Sequence, residues 1–194
     1  MALVVVGGQS RNVGKTSVVA GLIAALPQFN WSAMKISQHG HGIYSHGADQ
    51  DHGWAISEEH DRSESTDTSR FLQAGAHRVW WVRSQPGRLA EAVPTVRNLL
   101  ADCQHAILES NSILKFLRPD LYLTVLDPDT ADFKPSAREF LDRADAVLLN
   151  NGKGKAKWDG ISLEHLSGRP VFPIQPPEYV TPEIVGFVRE RLKL

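Results

Sequence analysis

The chain has a single cysteine, Cys103, among 194 residues. That excludes an intramolecular disulfide and fits a reducing, cytoplasmic compartment. No stretch approaches the ~20 consecutive apolar residues of a membrane-spanning helix. The apolar run at residues 2–6 is too short for a signal peptide and has no basic region before it. The expectation is a cytoplasmic protein without a membrane partner. Charge of one sign is lacking too: 21 Lys+Arg against 22 Asp+Glu leave a formal net charge of -1. That balance argues against an electrostatic nucleic-acid binder. Internal repeats are not evident. What remains is an ordinary globular composition, 42% hydrophobic, in a length that suits one domain with a sizeable core over residues 1–194.

Within that composition, short apolar runs alternate with helical patterns. LVVV at 3–6 is continuous and β-branched, the mark of a strand buried on both faces in a parallel sheet. Residues 16–26 read as a helix ended by Pro27. WSAMKIS at 31–37 is the expected second strand. DTSRFLQAGA at 67–76 is a short helix, with Thr66 or Asp67 as its cap and Gly75 as its stop. HRVWWVR at 77–83 reads as a strand, with Trp80 and Trp81 as core residues. A helical pattern at 87–101 is interrupted by Pro94. Strands follow at 106–110, 121–127, 146–151 and 171–174, with a helix at 136–144 and a last one capped by Thr181 and running to about Leu192. The expected fold class is α/β: a doubly wound, mostly parallel sheet with helices on both faces, in a single domain.

Ligands in such sheets lie beyond the carboxyl ends of the strands. Gly7-Gly8, Lys35, Glu109, Asp127 and Asn150 stand at those ends. The first strand runs into GGQSRNVGKT, in which five residues, 9–13, separate Gly8 from Gly14-Lys15-Thr16. A standard phosphate loop has four there, yet the order strand, glycine-rich turn, Gly-Lys-Thr, helix is the required one. Backbone N–H groups from Gly8, Asn12, Val13, Gly14, Lys15, Thr16 and Ser17 are the expected phosphate cradle, at the positive end of a helix. Lys15 is the expected catalytic contact to the β- and γ-phosphates, and the Thr16 hydroxyl the expected Mg²⁺ ligand. Glu109 is the expected carboxylate beside the metal, as a direct or water-mediated ligand or as the group that orients an attacking water. The bland reading of Glu109 is a cap for the next helix, and that of Asp127 is a turn aspartate. Lys35 holds an anionic substrate or lies along the surface. Asn150 reads a purine edge with donor and acceptor, or belongs to a turn before Gly152.

Residues 38–65 lose all periodicity and read as a long loop. His39, His41, His46, His52 and His60 alternate there with Asp49, Asp51, Glu58, Glu59 and Asp61. Imidazole and carboxylate suit a transition metal, but no pair has helix ligand spacing, so a substrate-ordered lid is the favoured reading.

The loop GGQSRNVGKT resembles that of dethiobiotin synthetases and cobyrinate diamide synthases, which carry the same extra residue. These belong to the signal-recognition, MinD and BioD class of phosphate-loop proteins. Val6 stands where MinD-type loops place a second lysine. A longer stretch resembles the molybdopterin-guanine dinucleotide biosynthesis protein B (MobB) family. It comprises the loop, KISQHG at 35–40, DTSRFLQAGA and LES at 108–110, in that order. The resemblance implies binding and slow hydrolysis of GTP with Mg²⁺, a homodimer, and assistance to the molybdenum-cofactor biosynthesis enzyme that attaches GMP to molybdopterin. The synthetase-like spacing implies ATP instead, with synthetase or kinase activity as the alternative. The guanine-reading Asn-Lys-x-Asp motif is missing, since LLNNGKGKAKWD has its ingredients at the wrong spacing. GTP and ATP therefore both stand at this stage, as does a purely nucleotide-gated binding module.

Overall fold

A computed structural model describes residues 1–38, 53–152, 158–161 and 168–193. Eight strands form one sheet: β1 (Ala2–Gly8), β2 (Trp31–Gln38), β3 (Trp54–Glu58), β4 (Arg78–Ser84), β5 (His105–Glu109), β6 (Leu121–Leu126), β7 (Ala146–Asn150) and β8 (Val171–Ile174). Their spatial order is β3-β4-β2-β5-β1-β6-β7-β8. All neighbours are parallel except β3, which pairs antiparallel with β4 at the edge. Five α-helices accompany it among the described residues: α1 (Lys15–Ala25), α2 (Asp67–Gln73), α3 (Leu89–Ala101), α4 (Pro135–Phe140) and α5 (Pro182–Leu192).

The continuous apolar strands divide their side chains between two faces, as period-two geometry requires. Val4 and Val6 of β1 enter one core with Val18, Leu22 and Ile23 of α1, Phe71 of α2 and Val188 of α5. Leu3 and Val5 enter the other with Val93 and Val96 of α3 and with Phe140 of α4. Helices thus cover both faces, and the doubly wound α/β class is the one observed. No helix among the described residues is long and apolar enough to cross a membrane.

Three expectations need correction. Residues 38–65 are not one loop, because 54–58 form β3, with Ile56 opposite Val82 and Trp54 opposite Ser84. Trp54 and Ile56 pack against the core on the α3 side, so a short alternating run was hidden by its polar flanks. Pro94 does not break α3. It and Ala90, whose carbonyl loses the helical bond, are both exposed, so that acceptor is not left in the core. The helix expected at 136–144 ends at Phe140 and tightens into a 3₁₀ turn over Leu141–Arg143.

β5 is inserted between β1 and β2 although β2 follows β1 in the chain. This register sets Glu109 opposite Val6 on one side and opposite Lys35 on the other. Both charged side chains share the face of Ile107 and Ala33, the face covered by α1 and α2. Phe71, fully buried, holds α2 against that face. Phe71→Ala should lower unfolding free energy by about 3–5 kcal/mol in urea denaturation, the cost of an unfilled aromatic cavity.

Candidate functional site

The turn after β1 ends at Gly14, whose φ of 102° lies in the left-handed region. A Cβ there would stand 2.2 Å from the Tyr179 ring, so both conformation and space call for glycine. Gly14 is the N-cap of α1 and supplies no side-chain acceptor; the helix's first bond runs from the Val18 N–H to the Gly14 carbonyl. The N–H groups of Lys15, Thr16 and Ser17 are the orphan donors of a helix start, and these three residues line a cavity of about 830 Å³.

The loop is held from several sides. Asn111 grips Gly8 reciprocally: the Gly8 N–H donates to Asn111 Oδ1 at 2.9 Å, and Asn111 Nδ2 donates to the Gly8 carbonyl at 2.8 Å. Asn150 Nδ2 donates to the Val13 carbonyl at 3.0 Å, while its Oδ1 is buried without a partner among the described residues. Val13 sends its side chain into the core, and Asn12 takes a left-handed φ of 59° beside the cavity. Ser17 Oγ accepts from Arg70 of α2 at 3.1 Å.

Opposite the helix start lies a charge cluster. Thr16 Oγ1 donates to Glu109 Oε2 at 2.8 Å. The Lys35 ammonium sits 3.2 Å from Glu109 Oε1 and also pairs with the Asp67 carboxylate. Glu109 is only 6% exposed, so its charge is matched inside the protein rather than by water. Burial alone would raise the Asp67 carboxyl, but the Lys35 hydrogen bond and charge, then the Thr16 hydroxyl and Arg70, outweigh it and hold the group below the usual value. Lys15 is shifted the other way, to about 8. Desolvation is the main cause; Glu109 opposes it, and Lys134 and Lys35 reinforce it. Its ammonium donates to the Ser10 carbonyl within the loop.

The structure brings Lys15, Thr16, Ser17 and Glu109 to one cavity, and Lys35 lines it too. Glu109 does not cap the following turn: Ser110 Oγ accepts the Ile113 N–H there. Asp127 is a turn residue, accepting from the Asp129 N–H and from Thr130. Asp67 is the main residue that sequence reasoning missed. Thr66 caps α2 through a reciprocal box with Ser69, which frees the acid at the next position to face the cavity; an acid directly after a competent cap is the signal that was available. Trp80 is buried, but Trp81 lines the cavity and its indole N–H donates to Ser37. Gln9 and Asn111 carried no sequence signal.

Mg²⁺ typically takes one or two carboxylates plus phosphate oxygens and water. Thr16, Glu109 and Asp67 fit it, since the two carboxylates already gather round one cationic group, the Lys35 ammonium, and the Thr16 hydroxyl lies against them. Among the described residues no group of three His, Cys, Asp or Glu side chains could hold a metal by itself. His39, His41, His46, His52, Asp49 and Asp51 lie outside the described residues. Of their neighbours, Glu58 pairs with Arg78 at 2.8 Å, and Glu59 ties the turn before α2 through Thr66 and Thr68.

No protein-family model matches the chain, and no curated protein matches it. Solved structures do. LpxK from Aquifex aeolicus, solved in complex with ATP, matches over 89% of this chain with a TM-score of 0.50 and 19% identity. This chain covers 53% of that one, about half its length. HypB from Helicobacter pylori, solved in complex with nickel, matches over 99% of this chain and 86% of its own, with a TM-score of 0.50 and 13% identity. MobB from Bacillus subtilis matches over 98% of both chains with 17% identity and a TM-score of 0.39. The likeness to the first two shows the fold, that of α/β phosphate-loop nucleotide-binding proteins.

The lowered Lys15 value makes a test. The unfolded chain keeps the extra proton between about pH 8 and 10.5 while the folded chain has lost it, so this group's contribution to stability rises with pH through that window. Lys15→Met should therefore be more stable than the parent at pH 7, and thermal melts should show that advantage shrinking as pH rises from 8 to 10.5.

Proposed function

We propose that the protein binds a purine nucleoside triphosphate, GTP or ATP, with Mg²⁺ and hydrolyses its terminal phosphate slowly. The observation that carries this reading is the convergence of the Lys15 ammonium, the α1 N-terminus, Thr16 and two carboxylates on one cavity at the carboxyl edge of the sheet. The first-turn N–H groups and Lys15 bind the β- and γ-phosphates. Thr16, Glu109 and Asp67 would hold Mg²⁺, which would supply shielding of the phosphate charge. Lys35, which pairs with both carboxylates, would be the cation nearest them for the terminal phosphate. The segment carrying Tyr179 packs on Gly14 and forms the outer wall of the cavity. The base stays open between guanine and adenine, because Asn150, the expected purine reader, is buried, holds the Val13 carbonyl and is not among the residues lining the cavity. Hydrolysis is slow because the described cavity offers Glu109 to a water only while that carboxylate also serves the metal.

The sequence resemblance to the MobB family supports a place for this activity beside molybdopterin guanine dinucleotide assembly, with a partner enzyme of that pathway and a homodimer. A synthetase or kinase is favoured by a different observation. The cavity continues past Lys35 to Ser37, Gln38, Trp81 and Pro86, room that phosphates alone do not need and an acceptor would fill.

Isothermal titration with GTP, ATP and their diphosphates tests the site. Lys15→Ala should weaken triphosphate binding at least tenfold, the worth of one charged hydrogen bond of about 1.5–3 kcal/mol. Undiminished binding by that variant would sink the assignment. Asp67→Asn and Glu109→Gln should each raise the Mg²⁺ concentration needed for turnover while leaving metal-free nucleotide binding within about threefold of the parent, a margin of ~0.7 kcal/mol. A metabolite screen that lifts ATP turnover sharply would select the synthetase reading.

A further inference from the structure

Gln9 has no phosphate-loop chemistry of its own, yet it is fully buried and fully bonded. Its Nε2 donates to the carbonyls of Asp127 at 3.1 Å, Thr130 at 2.8 Å and Asp132 at 3.3 Å, and its Oε1 accepts the Asp127 N–H at 2.7 Å. The next residue, Ser10, donates its hydroxyl to the Asp132 carboxylate. The Lys134 N–H returns a bond to the Gln9 carbonyl at 2.8 Å. Two consecutive loop residues therefore fasten the whole segment between β6 and α4 to the phosphate loop. A buried amide with this many partners defines one geometry, since each lost bond would leave a buried polar group unmatched.

The end of the fastened segment is Lys134. It occupies the N-cap position of α4 but makes no capping bond with its side chain. It lines the same cavity as Lys15, Lys35 and Glu109. Among the described residues it makes no contact ion pair; burial and then the Arg11 charge depress its pKa, and the more distant Asp132 and Glu109 charges oppose them without outweighing them. Lys35 enters the cavity from β2 on one flank of β1; Lys134 enters from beyond β6 on the other. A half-buried ammonium with no carboxylate in ion-pair contact among the described residues, fixed to the phosphate loop and lining the cavity, is set for an anion that arrives with the ligand.

We propose that Lys134 is a catalytic cation supplied in cis, contacting the terminal phosphoryl group as it transfers, with Gln9 as its positioning residue. The proposal rests on the triphosphate reading above. In hydrolysis a water oxygen bonds to the terminal phosphorus, the bridging P–O bond breaks, and the diphosphate leaves with the electron pair while the water proton passes to phosphate. Negative charge then grows on the bridging oxygen and is spread over the terminal oxygens. A cation aimed there acts more on the transition state than on the bound substrate.

Single-turnover hydrolysis by the parent, Lys134→Ala and Lys134→Arg, with titrations of diphosphate and of diphosphate plus aluminium fluoride, tests this. Lys134→Ala should lose about a hundredfold in rate and the tight aluminium fluoride complex, while diphosphate affinity stays within about threefold and Lys134→Arg recovers at least about tenfold. Asp132→Ala, which frees one bond of the staple, should lower the rate without altering diphosphate affinity. A Lys134→Ala rate within about threefold of the parent overturns the proposal and leaves the nucleotide reading standing. Parallel loss of diphosphate affinity and rate also overturns it, by making Lys134 a structural prop. A parent protein that binds no nucleotide overturns both.

Discussion

The Lys35 ammonium between the Glu109 and Asp67 carboxylates joins three elements that are distant in sequence. Asp67 comes from the start of α2, Glu109 from the end of β5 and Lys35 from β2, and Thr16 ties the group to the start of α1. In a partly desolvated site each of these charges would be costly alone. Together they neutralise one another and hold two helix N-termini at one edge of the sheet. Under the proposed function, the same oxygens are already grouped for a divalent cation, and the site need not be assembled anew when the ligand arrives. That is preorganisation in its simplest form, with the ordering cost met during folding.

A second constraint is the immobility of the phosphate loop. Asn111 holds Gly8, Asn150 holds Val13, and Gln9 holds the segment that leads to Lys134. Glycine gives the turn its left-handed geometry but also leaves the backbone free to move. Side-chain amides supply what glycine cannot, because one amide matches both the N–H and the carbonyl of the strand it faces. The five-residue spacing of the loop is accommodated in this way: Gln9 and Ser10 turn aside to bind the β6–α4 segment, and Asn12, Gly14, Lys15 and Thr16 are left lining the cavity.

Much of the fold was legible. The buried strands could be read from continuous β-branched runs, the helix after the loop from its Gly-Lys-Thr start, and α5 from Thr181-Pro182. β3 was not legible, because five residues with two packed side chains are a weak periodic signal inside a polar stretch. The core role expected for Trp81 failed for a related reason. Alternation says that successive residues face opposite ways, but it does not say that one face ends at a cavity. Around the site, Lys15, Thr16 and Glu109 announced themselves by position at strand and helix ends. Asp67 did not, because a helix-start acid serves equally well as a cap, and only the Thr66–Ser69 box shows which residue took that task.

By itself the sequence determined the local chemistry: a strand, a glycine-rich turn and a helix whose first residues offer free N–H groups, a lysine and a hydroxyl. These features depend on residues within about one helical turn of each other, so short-range geometry suffices to derive them. Tertiary structure decided which distant groups complete the site. The insertion of β5 between β1 and β2 brings Glu109 opposite Lys35, and the burial of Gln9 carries Lys134 to the far flank. Strand order and register arise from packing the whole sheet between two helical layers, a balance of many weak non-local contacts that no short motif records.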